Sequence, residues 1–259
     1  MRPNPLLDRF GSGDVALGAW LSIPSSVSAE AVALAGFDYV CIDMQHGLVD
    51  YSDSVTMLQA VTTGASTPVV RVPENQFGHI GKALDAGAMG VIVPMVNSVE
   101  ECAAAVSAGR YAPEGGRSFG PSRVSAVEGT DYYTEANRTV SIIPMIETVQ
   151  AVEALDEILG VDGVTAIYVG PADLSISMGL PPANEEPEFH AVLDRIVAAC
   201  GRHGVVPGIH TTPATAPDRI RRGFTMVTIT SDLNALRSSI AADLESIRSG
   251  AGARTDSLY

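Results

Sequence analysis

Two patterns of apolar and polar positions alternate along the chain. Short runs rich in β-branched residues predict strands at 15–21, 39–43, 68–72, 90–95, 140–147, 166–170, 205–210 and 226–230. Alanine-rich stretches with apolar residues at helical spacing predict helices at 28–35, 53–63, 77–86, 98–108, 150–158, 187–203, 213–222 and 232–248. Each predicted strand is followed by a helix, which is the order of elements in a (β/α)₈ barrel.

This order defines an α/β fold, and we expect a single-domain (β/α)₈ TIM barrel over residues 1–259. An open doubly wound sheet is the alternative. Its nucleotide-binding signatures are missing, because no GxGxxG follows the first strand and no GxxxxGK[ST] occurs. Residues 109–138 lack a regular apolar pattern, so we expect a long irregular loop there, which is a candidate lid. We expect residues 250–259 to form a flexible tail.

Charge and hydropathy exclude several classes of partner. The net charge is −14 and is spread along the chain, whereas a nucleic-acid-binding protein needs a basic stripe. No uncharged apolar run reaches the roughly 18 residues that cross a bilayer, so we expect no membrane partner. The first residues lack the apolar region and cleavage site of a signal peptide, which predicts a cytoplasmic protein.

Lysine is nearly absent from the chain. Lys82 is the only lysine among 16 basic residues. Schiff-base chemistry on a carbonyl substrate needs a lysine held in a pocket. Lys82 falls on the solvated side of the predicted helix 77–86, so a lysine-dependent mechanism is disfavoured.

Polar residues collect where the predicted strands end. In a barrel, catalytic groups lie at the carboxyl ends of the strands. Residues far apart in sequence are therefore expected to share one rim. They are Asp43, His46, Arg71, Glu147, Asp173 and His210.

Glu147 and Asp173 are the candidate metal ligands. Two carboxylates, together with water and substrate oxygens, suit a hard divalent ion such as Mg²⁺ or Mn²⁺. A 2-oxo acid can chelate such an ion, which then stabilises an enolate as a Lewis acid. The alternative for each residue is a helix N-cap.

Arg71 follows the apolar run of strand 68–72. A charge there must be paired or must face a cavity. Its planar guanidinium could bind the oxygens of an oxo acid. A structural ion pair with a neighbouring strand-end carboxylate is the alternative.

His46 lies three residues after Asp43. Asp43 could orient the imidazole, which makes the two a candidate acid/base dyad. The alternative is a histidine that is only a satisfied polar group. His210 is a weaker candidate for catalysis.

The turn after the sixth strand supplies backbone groups as well. Gly170 permits a tight turn, and Pro171, Ala172 and Asp173 open the following stretch. The N–H groups of Ala172 and Asp173 are placed to receive a substrate carboxylate. These four residues are therefore candidates for substrate binding.

Over about residues 15–248 the chain resembles the HpcH/HpaI aldolase family. The matching segments are GAWLSIPSSVSAEAVALAGFDYVCIDMQHG, TPVVRVP, DAGAMGVIVPMV, RYAPEGGRSFGPSR, IPMIET and VDGVTAIYVGPADLS. The resemblance implies a barrel of the phosphoenolpyruvate/pyruvate superfamily, usually a hexamer whose subunits exchange the last helix. It also implies bound Mg²⁺, Mn²⁺ or Co²⁺.

The resemblance assigns roles to individual residues. It implies metal ligation by Glu147 and Asp173 and binding of substrate oxygens by Arg71. It implies an acid/base role for His46, supported by Asp43 and Asp85. The chain departs from many members at two positions, where Gln45 replaces Glu and Met145 replaces Gln.

The expected function is a metal-dependent class II aldolase. It would cleave 4-hydroxy-2-oxo (2-keto-3-deoxy) acids reversibly to pyruvate and an aldehyde. One alternative is an acyl-CoA lyase of the malyl or citramalyl type, for which Arg219, Arg221 and Arg222 could meet the CoA phosphates. Another is a barrel that binds an oxo acid without turnover.

Overall fold

The computed structural model describes residues 1–182 and 185–249. Its parallel strands close into a barrel in chain order, with β8 beside β1. The strands are β1 (Ala16–Leu21), β2 (Tyr39–Asp43), β3 (Thr67–Arg71), β4 (Gly90–Val93), β5 (Ser141–Ile146), β6 (Ala166–Val169), β7 (Val206–His210) and β8 (Met226–Ser231). The predicted α/β fold and (β/α)₈ barrel are confirmed. The tail expected at 250–259 lies outside the described residues.

The helices surround the barrel and connect its strands. They are α1 (Pro5–Ser12), α2 (Ser26–Ala33), α3 (Tyr51–Val61), α4 (Phe77–Asp85), α5 (Val99–Gly109), α6 (Ser122–Glu128), α7 (Tyr132–Thr139), α8 (Val149–Glu153), α9 (Leu155–Leu159), α10 (Pro171–Ser177), α11 (Pro187–His203), α12 (Ala216–Arg222) and α13 (Asp232–Arg248). Among the described residues, no helix combines the length and hydropathy needed to cross a membrane.

The strands are buried on both faces. In β2, Val40 and Ile42 belong to the large apolar cluster shared with the surrounding helices. Tyr39 and Cys41 belong to a second cluster, which fills the barrel. Because successive side chains of a strand point to opposite faces, alternate residues line the interior. This alternation determines which residue at each strand end faces the centre.

Two glycines make room for tyrosine rings inside the barrel. A Cβ on Gly18 would lie 2.1 Å from the Tyr39 ring, and one on Gly208 would lie 2.8 Å from the Tyr168 ring. The hydroxyls of Tyr39 and Tyr168 share hydrogen bonds with Thr228 Oγ1 at 2.8 and 2.6 Å. Burial raises the pKa of both phenols, so they remain neutral and satisfied.

Helix α1, which the sequence pattern does not predict, packs at the amino end of the barrel. Its Leu6 joins the interior cluster. The preceding Asn4 donates from Nδ2 to the carbonyl oxygens of Met89, at 3.1 Å, and Thr139, at 2.8 Å. These residues immediately precede β4 and β5, so α1 covers the end of the barrel at which the strands begin.

The structure corrects the expectation of a loop and lid at 109–138. Residues 110–121 are irregular, but the rest of this segment is largely formed by α6 and α7. It connects the end of α5 to the start of β5, and therefore lies at the amino end of the barrel. It cannot cover the carboxyl-end rim of its own chain.

The last helix, α13, leaves the barrel almost at once. Asp232 is its only buried residue, and its carboxylate accepts hydrogen bonds from the N–H groups of Ser22 and Ile23 at 2.9 and 3.2 Å. Four large apolar side chains beyond it recur at helical spacing and are exposed by 50, 58, 49 and 69%. They are Leu236, Ile240, Leu244 and Ile247. In one chain this apolar stripe has no core to pack against.

Candidate active site

The strand-end residues converge on a cavity of about 210 Å³ at the carboxyl end of the barrel. Its lining residues are Trp20, His46, Arg71, Met145, Tyr168, Gly170, Pro171, Ala172, Asp173 and His210. The strand alternation explains this convergence. Arg71 follows the interior residue Val69 by two positions, and His210 follows Gly208 by two. Both therefore point into the barrel.

Arg71 and Asp43 form a buried bidentate pair across adjacent strands. Their Cα atoms are register partners in β2 and β3. Arg71 donates from Nε to Asp43 Oδ1 at 2.8 Å and from Nη2 to Oδ2 at 2.7 Å. Burial acts to raise the pKa of Asp43, but the hydrogen bonds and charge of Arg71 outweigh it and lower that pKa. The ion pair and the cavity-facing position, considered as alternatives, therefore occur together.

Trp20 fixes Arg71 from the other side. The guanidinium carbon lies 5.2 Å from the centroid of the Trp20 ring, within cation–π range. Trp20 stacks on Tyr168 with ring centroids 5.4 Å apart. Within the described residues, no hydrogen bond occupies Arg71 Nη1. The guanidinium is thus held rigidly and retains donors for a ligand.

Asp43 does not orient the imidazole of His46, which corrects the predicted dyad. Its Oδ1 instead accepts hydrogen bonds from the backbone N–H groups of Gln45, at 3.0 Å, and His46, at 3.3 Å. The carboxylate therefore shapes the turn that carries His46. The His46 ring is exposed and lines the cavity, with no hydrogen bond to another described residue.

Glu147 is a buried carboxylate with one committed oxygen. It is 2% exposed, and Oε1 accepts the backbone N–H of Met95 at 2.7 Å. Met95 has a φ of 55°, which is unusual for a non-glycine residue. Burial raises the pKa of Glu147, the Met95 N–H offsets part of this effect, and the negative charge of Asp173 raises the pKa further.

Gly170 is required by this carboxylate. A Cβ at Gly170 would lie 2.6 Å from Glu147 Oε2 and 3.1 Å from Met145 Cε. Among the described residues, Oε2 has no hydrogen-bond partner. The glycine thus keeps space open beside the second carboxylate oxygen.

Glu147 and Asp173 together fit a divalent cation. Asp173 is exposed in the first turn of α10 and lines the cavity. Its charge raises the pKa of Glu147, and a cation between two such carboxylates would remove that repulsion. In the part of the chain that the structure describes, no cluster of three or more acidic, histidine or cysteine ligands forms. A metal held by these two residues would keep coordination positions open for water and substrate.

Pro171 and Ala172 line the same cavity as Gly170 and Asp173, so the GPADLS turn lies where the sequence predicts. Of the two departures from the family, Met145 is buried and faces the cavity. Gln45 carries a buried Oε1 that has no hydrogen-bond partner in the described part of the chain. Met145 therefore makes the cavity wall beside Glu147 apolar.

Asp85 lies elsewhere. It is the last residue of α4, which runs from the carboxyl end of β3 toward the amino end of the barrel. There its Oδ1 pairs with Arg117 Nη2 at 2.7 Å. Asp85 and His46 of one chain are therefore at opposite ends of the barrel, and the structure does not bring them together.

Trp20, Tyr168 and the central position of His210 are what the sequence pattern misses. The two aromatic residues lie in apolar strands and look like core residues. Strand alternation is the signal that could have found all three. Trp20 follows Gly18 by two positions and so also faces the interior. Tyr168 and His210 are the last interior-facing residues of β6 and β7.

The arginines considered for CoA binding all pair with one shared carboxylate, and Arg219 and Arg222 each pair with a second one. Asp218 pairs with Arg219 at 2.7 Å, Arg221 at 3.2 Å and Arg222 at 2.8 Å. A phosphate would have to compete with that carboxylate. The acyl-CoA alternative is therefore not favoured.

The sequence and the fold match a known family. The chain belongs to the HpcH/HpaI aldolase/citrate lyase family, whose model matches residues 16–239. It is 39% identical over 239 residues to a hydroxypyruvate/pyruvate aldolase of Rhizorhabdus wittichii, covering 90% of this chain and 94% of that protein. It is 35% identical over 241 residues to a 5-keto-4-deoxy-D-glucarate aldolase of Salmonella paratyphi A, covering 92% and 94%.

A solved structure agrees with these relatives. An HpcH/HpaI aldolase/citrate lyase family protein from Burkholderia cenocepacia superimposes with a TM-score of 0.90 at 32% identity, covering 95% of this chain and 99% of that one. Aldolase relatives over most of the chain make this protein a carbon–carbon lyase.

Proposed function

We propose that the chain catalyses reversible aldol cleavage of 4-hydroxy-2-oxo acids to pyruvate and an aldehyde. The observation that carries this proposal is a small cavity lined by Asp173 and the fixed guanidinium of Arg71, with the buried Glu147 close enough for the charges of both to act on its pKa. Pyruvate has two adjacent oxygen-bearing carbons, and this cavity offers a planar donor and a cation site for those oxygens.

Arg71 binds the oxygens of the oxo acid in this proposal. Its bidentate bond to Asp43 and its contact with Trp20 fix the plane of the guanidinium before the substrate arrives. A preorganised donor stabilises developing negative charge without reorganisation during the reaction. Asp43 is thus a positioning residue for Arg71.

Glu147 and Asp173 would hold the divalent metal, for which Mg²⁺, Mn²⁺ and Co²⁺ are the candidates. When bound, such an ion supplies the positive charge that stabilises the enolate of pyruvate. Lys82 cannot take this role through a Schiff base, because its Nζ lies over the Tyr51 ring, 4.9 Å from the centroid, among the outer helices.

His46 moves the proton at the 4-hydroxyl of the substrate. In cleavage it accepts that proton as the bond between C3 and C4 breaks, and in synthesis it returns the proton to the new hydroxyl. An exposed imidazole at the cavity rim, with no competing hydrogen bond among the described residues, is free to do both.

We further propose a cytoplasmic homo-oligomer, a hexamer, that exchanges α13 between subunits. The apolar stripe of Leu236, Ile240, Leu244 and Ile247 would then be buried on a second copy. In this assembly, the Asp85 that supports His46 would have to come from a neighbouring subunit. Within one chain, the two residues lie at opposite ends of the barrel. Light scattering of the purified protein, compared with the double variant Ile240→Glu and Leu244→Glu, tests the exchange.

The function is tested by coupling pyruvate release to cleavage of a panel of 4-hydroxy-2-oxo acids. Excess EDTA should abolish release, and Mg²⁺ or Mn²⁺ should restore it. Full activity in excess EDTA, or trapping of pyruvate on Lys82 by borohydride, would contradict the proposed class.

A further inference from the structure

A second cavity adjoins the site at the carboxyl end of the barrel. Its volume is about 350 Å³, and it shares Pro171, Ala172 and His210 with the cavity that contains Arg71. Beyond these shared residues its wall includes Phe189 from the start of α11. The two spaces are therefore neighbours, and His210 stands at their common wall.

The volume of the first cavity is too small to hold both the oxo-acid half and a long aldehyde-derived half of an aldol substrate. A 150 Å³ cavity holds benzene, which has as many heavy atoms as pyruvate. The first cavity, at about 210 Å³, is then nearly filled by the oxo acid and a cation. The part of the substrate beyond the newly formed bond needs further space, and the adjoining cavity supplies it.

His210 presents unused hydrogen-bonding groups at the common wall. Its ring stands edge-on to Trp20, with centroids 5.1 Å apart and an interplanar angle of 88°. Neither ring nitrogen hydrogen-bonds another described residue. Burial and the nearby charge of Arg71 lower the pKa of His210 to about 4. The ring is therefore neutral near pH 7 and offers one donor and one acceptor.

Apart from the ion-paired Glu185 and Arg219, the described wall of the second cavity has no charged residue and is mostly apolar. The Thr211 hydroxyl donates to the Thr228 carbonyl at 2.7 Å, which leaves its methyl group for the cavity. Arg219 also reaches this cavity, but it is bound to Glu185 at 2.6 Å and to Asp218 at 2.7 Å. The wall thus provides no free positive charge for a substrate carboxylate.

We propose that the second cavity binds the aldehyde-derived half of the substrate, and that His210 is its specificity-determining residue. The preferred aldehyde carries a hydroxyl on the carbon next to its carbonyl, which hydrogen-bonds His210, and an uncharged apolar tail, which fills the cavity. This inference rests on the proposed aldolase function and specifies its second substrate.

The hydroxyl is tested with two aldehydes in both the wild type and His210→Phe. The aldehydes have the same alkyl tail, and only one carries the 2-hydroxyl. Phenylalanine keeps the aromatic contact with Trp20 but removes both ring nitrogens. The wild type should prefer the hydroxylated aldehyde by about tenfold in kcat/KM, the effect of one hydrogen bond. His210→Phe should lose that preference while KM for pyruvate stays unchanged.

An unchanged preference in His210→Phe would overturn the assignment of His210. Should His210→Phe fold poorly, His210→Gln provides the second variant, since its amide retains a donor and an acceptor and should keep the preference. Failure of the aldolase proposal looks different, because wild type would then release no pyruvate from any 4-hydroxy-2-oxo acid.

The tail is tested with a series of 2-hydroxyaldehydes of increasing chain length. Each methylene buried in the cavity should raise kcat/KM by about three- to fourfold until the cavity is full. A matched aldehyde with a terminal carboxylate should react more slowly than its methyl counterpart. A flat length series, or a preference for the carboxylate, would overturn the cavity assignment.

Discussion

The two ends of the barrel each contain a buried arginine that is paired with an aspartate. At the carboxyl end, Arg71 binds Asp43 through two nitrogens. At the amino end, Arg117 binds Asp85 through one and stacks 4.5 Å over the centroid of the Tyr111 ring. A cavity of about 210 Å³ lies near each pair. A buried arginine, an aspartate partner and a cavity of this volume therefore occur at both ends and do not by themselves mark the reaction site.

The difference lies in what surrounds each pair. Around Arg71, groups from several strands converge: Asp173 and the rim residue His46 line the same cavity, and the buried Glu147 acts on Arg71 through its charge. Around Arg117, the neighbours are aromatic rings of the segment between α5 and β5, and its Nε and Nη1 have no hydrogen-bond partner among residues 1–182 and 185–249. A buried charge pair indicates a reaction site only where other reactive groups meet it.

The largest effect expected from a single substitution is that of His46→Ala. Removing the proton-transfer group should lower aldol cleavage by ~10²–10⁴-fold. The affinity for pyruvate should change little, because Glu147 and Asp173 remain. His203 at the amino end, which pairs with Asp156 at 3.0 Å, supplies the control, and His203→Ala should leave cleavage unchanged. Steady-state kinetics of both variants would refute the assignment of His46 if they were equal.

Arg71→Lys and Arg117→Lys compare the two pairs directly. Lysine keeps the charge but loses the planar fork, and breaking a buried charged contact costs ~2–5 kcal/mol. At Arg71 this should lower kcat/KM by about 30-fold or more. At Arg117 the main loss should appear in the free energy of unfolding. Denaturant titrations beside kinetics separate the outcomes, and a wild-type kcat/KM in Arg71→Lys would make Arg71 purely structural.

A smaller effect is expected from Gly170→Ala. The new methyl group would press on Glu147 Oε2, whose distance from the Cβ position is only 2.6 Å. Displacement of that carboxylate should lower kcat/KM by about 10- to 100-fold. Gly81→Ala in α4 is the control, because its Cβ meets nothing within 4 Å. It should raise stability by up to ~1 kcal/mol and leave kinetics unchanged. Equal kinetics in both variants would argue against a functional Glu147.

The sequence predicts the strands and most of the rim because both have strong physical signals. The strands are buried on both faces and appear as continuous apolar runs, so a charge at the end of such a run, as at Arg71 or Glu147, is conspicuous. The sequence also contains the reason that Asp85 is misplaced. A residue at the end of the helix after β3 must lie at the amino end of the barrel.

Other features depend on tertiary contacts that the local pattern does not encode. Helices α6 and α7 are short, and their segment is rich in glycine and polar residues, so no helical period stands out. Asp43 forms a bidentate ion pair with Arg71 and no hydrogen bond with the His46 ring because the register of β2 and β3 places Asp43 beside Arg71. Likewise, the edge contact of His210 with Trp20 joins β7 to β1, strands that are far apart in sequence.

Formation of the pyruvate enolate is tested by exchange of the pyruvate methyl protons into D₂O, followed by NMR without any aldehyde. This exchange requires the enolate, which Arg71 and a cation held by the carboxylate pair would stabilise. Glu147→Gln keeps the shape of the side chain. Because burial already raises the pKa of Glu147, an uncharged amide suits this position and the fold should persist. Exchange should fall by about 10²-fold or more in this variant. Exchange at the wild-type rate in folded Glu147→Gln would contradict the account.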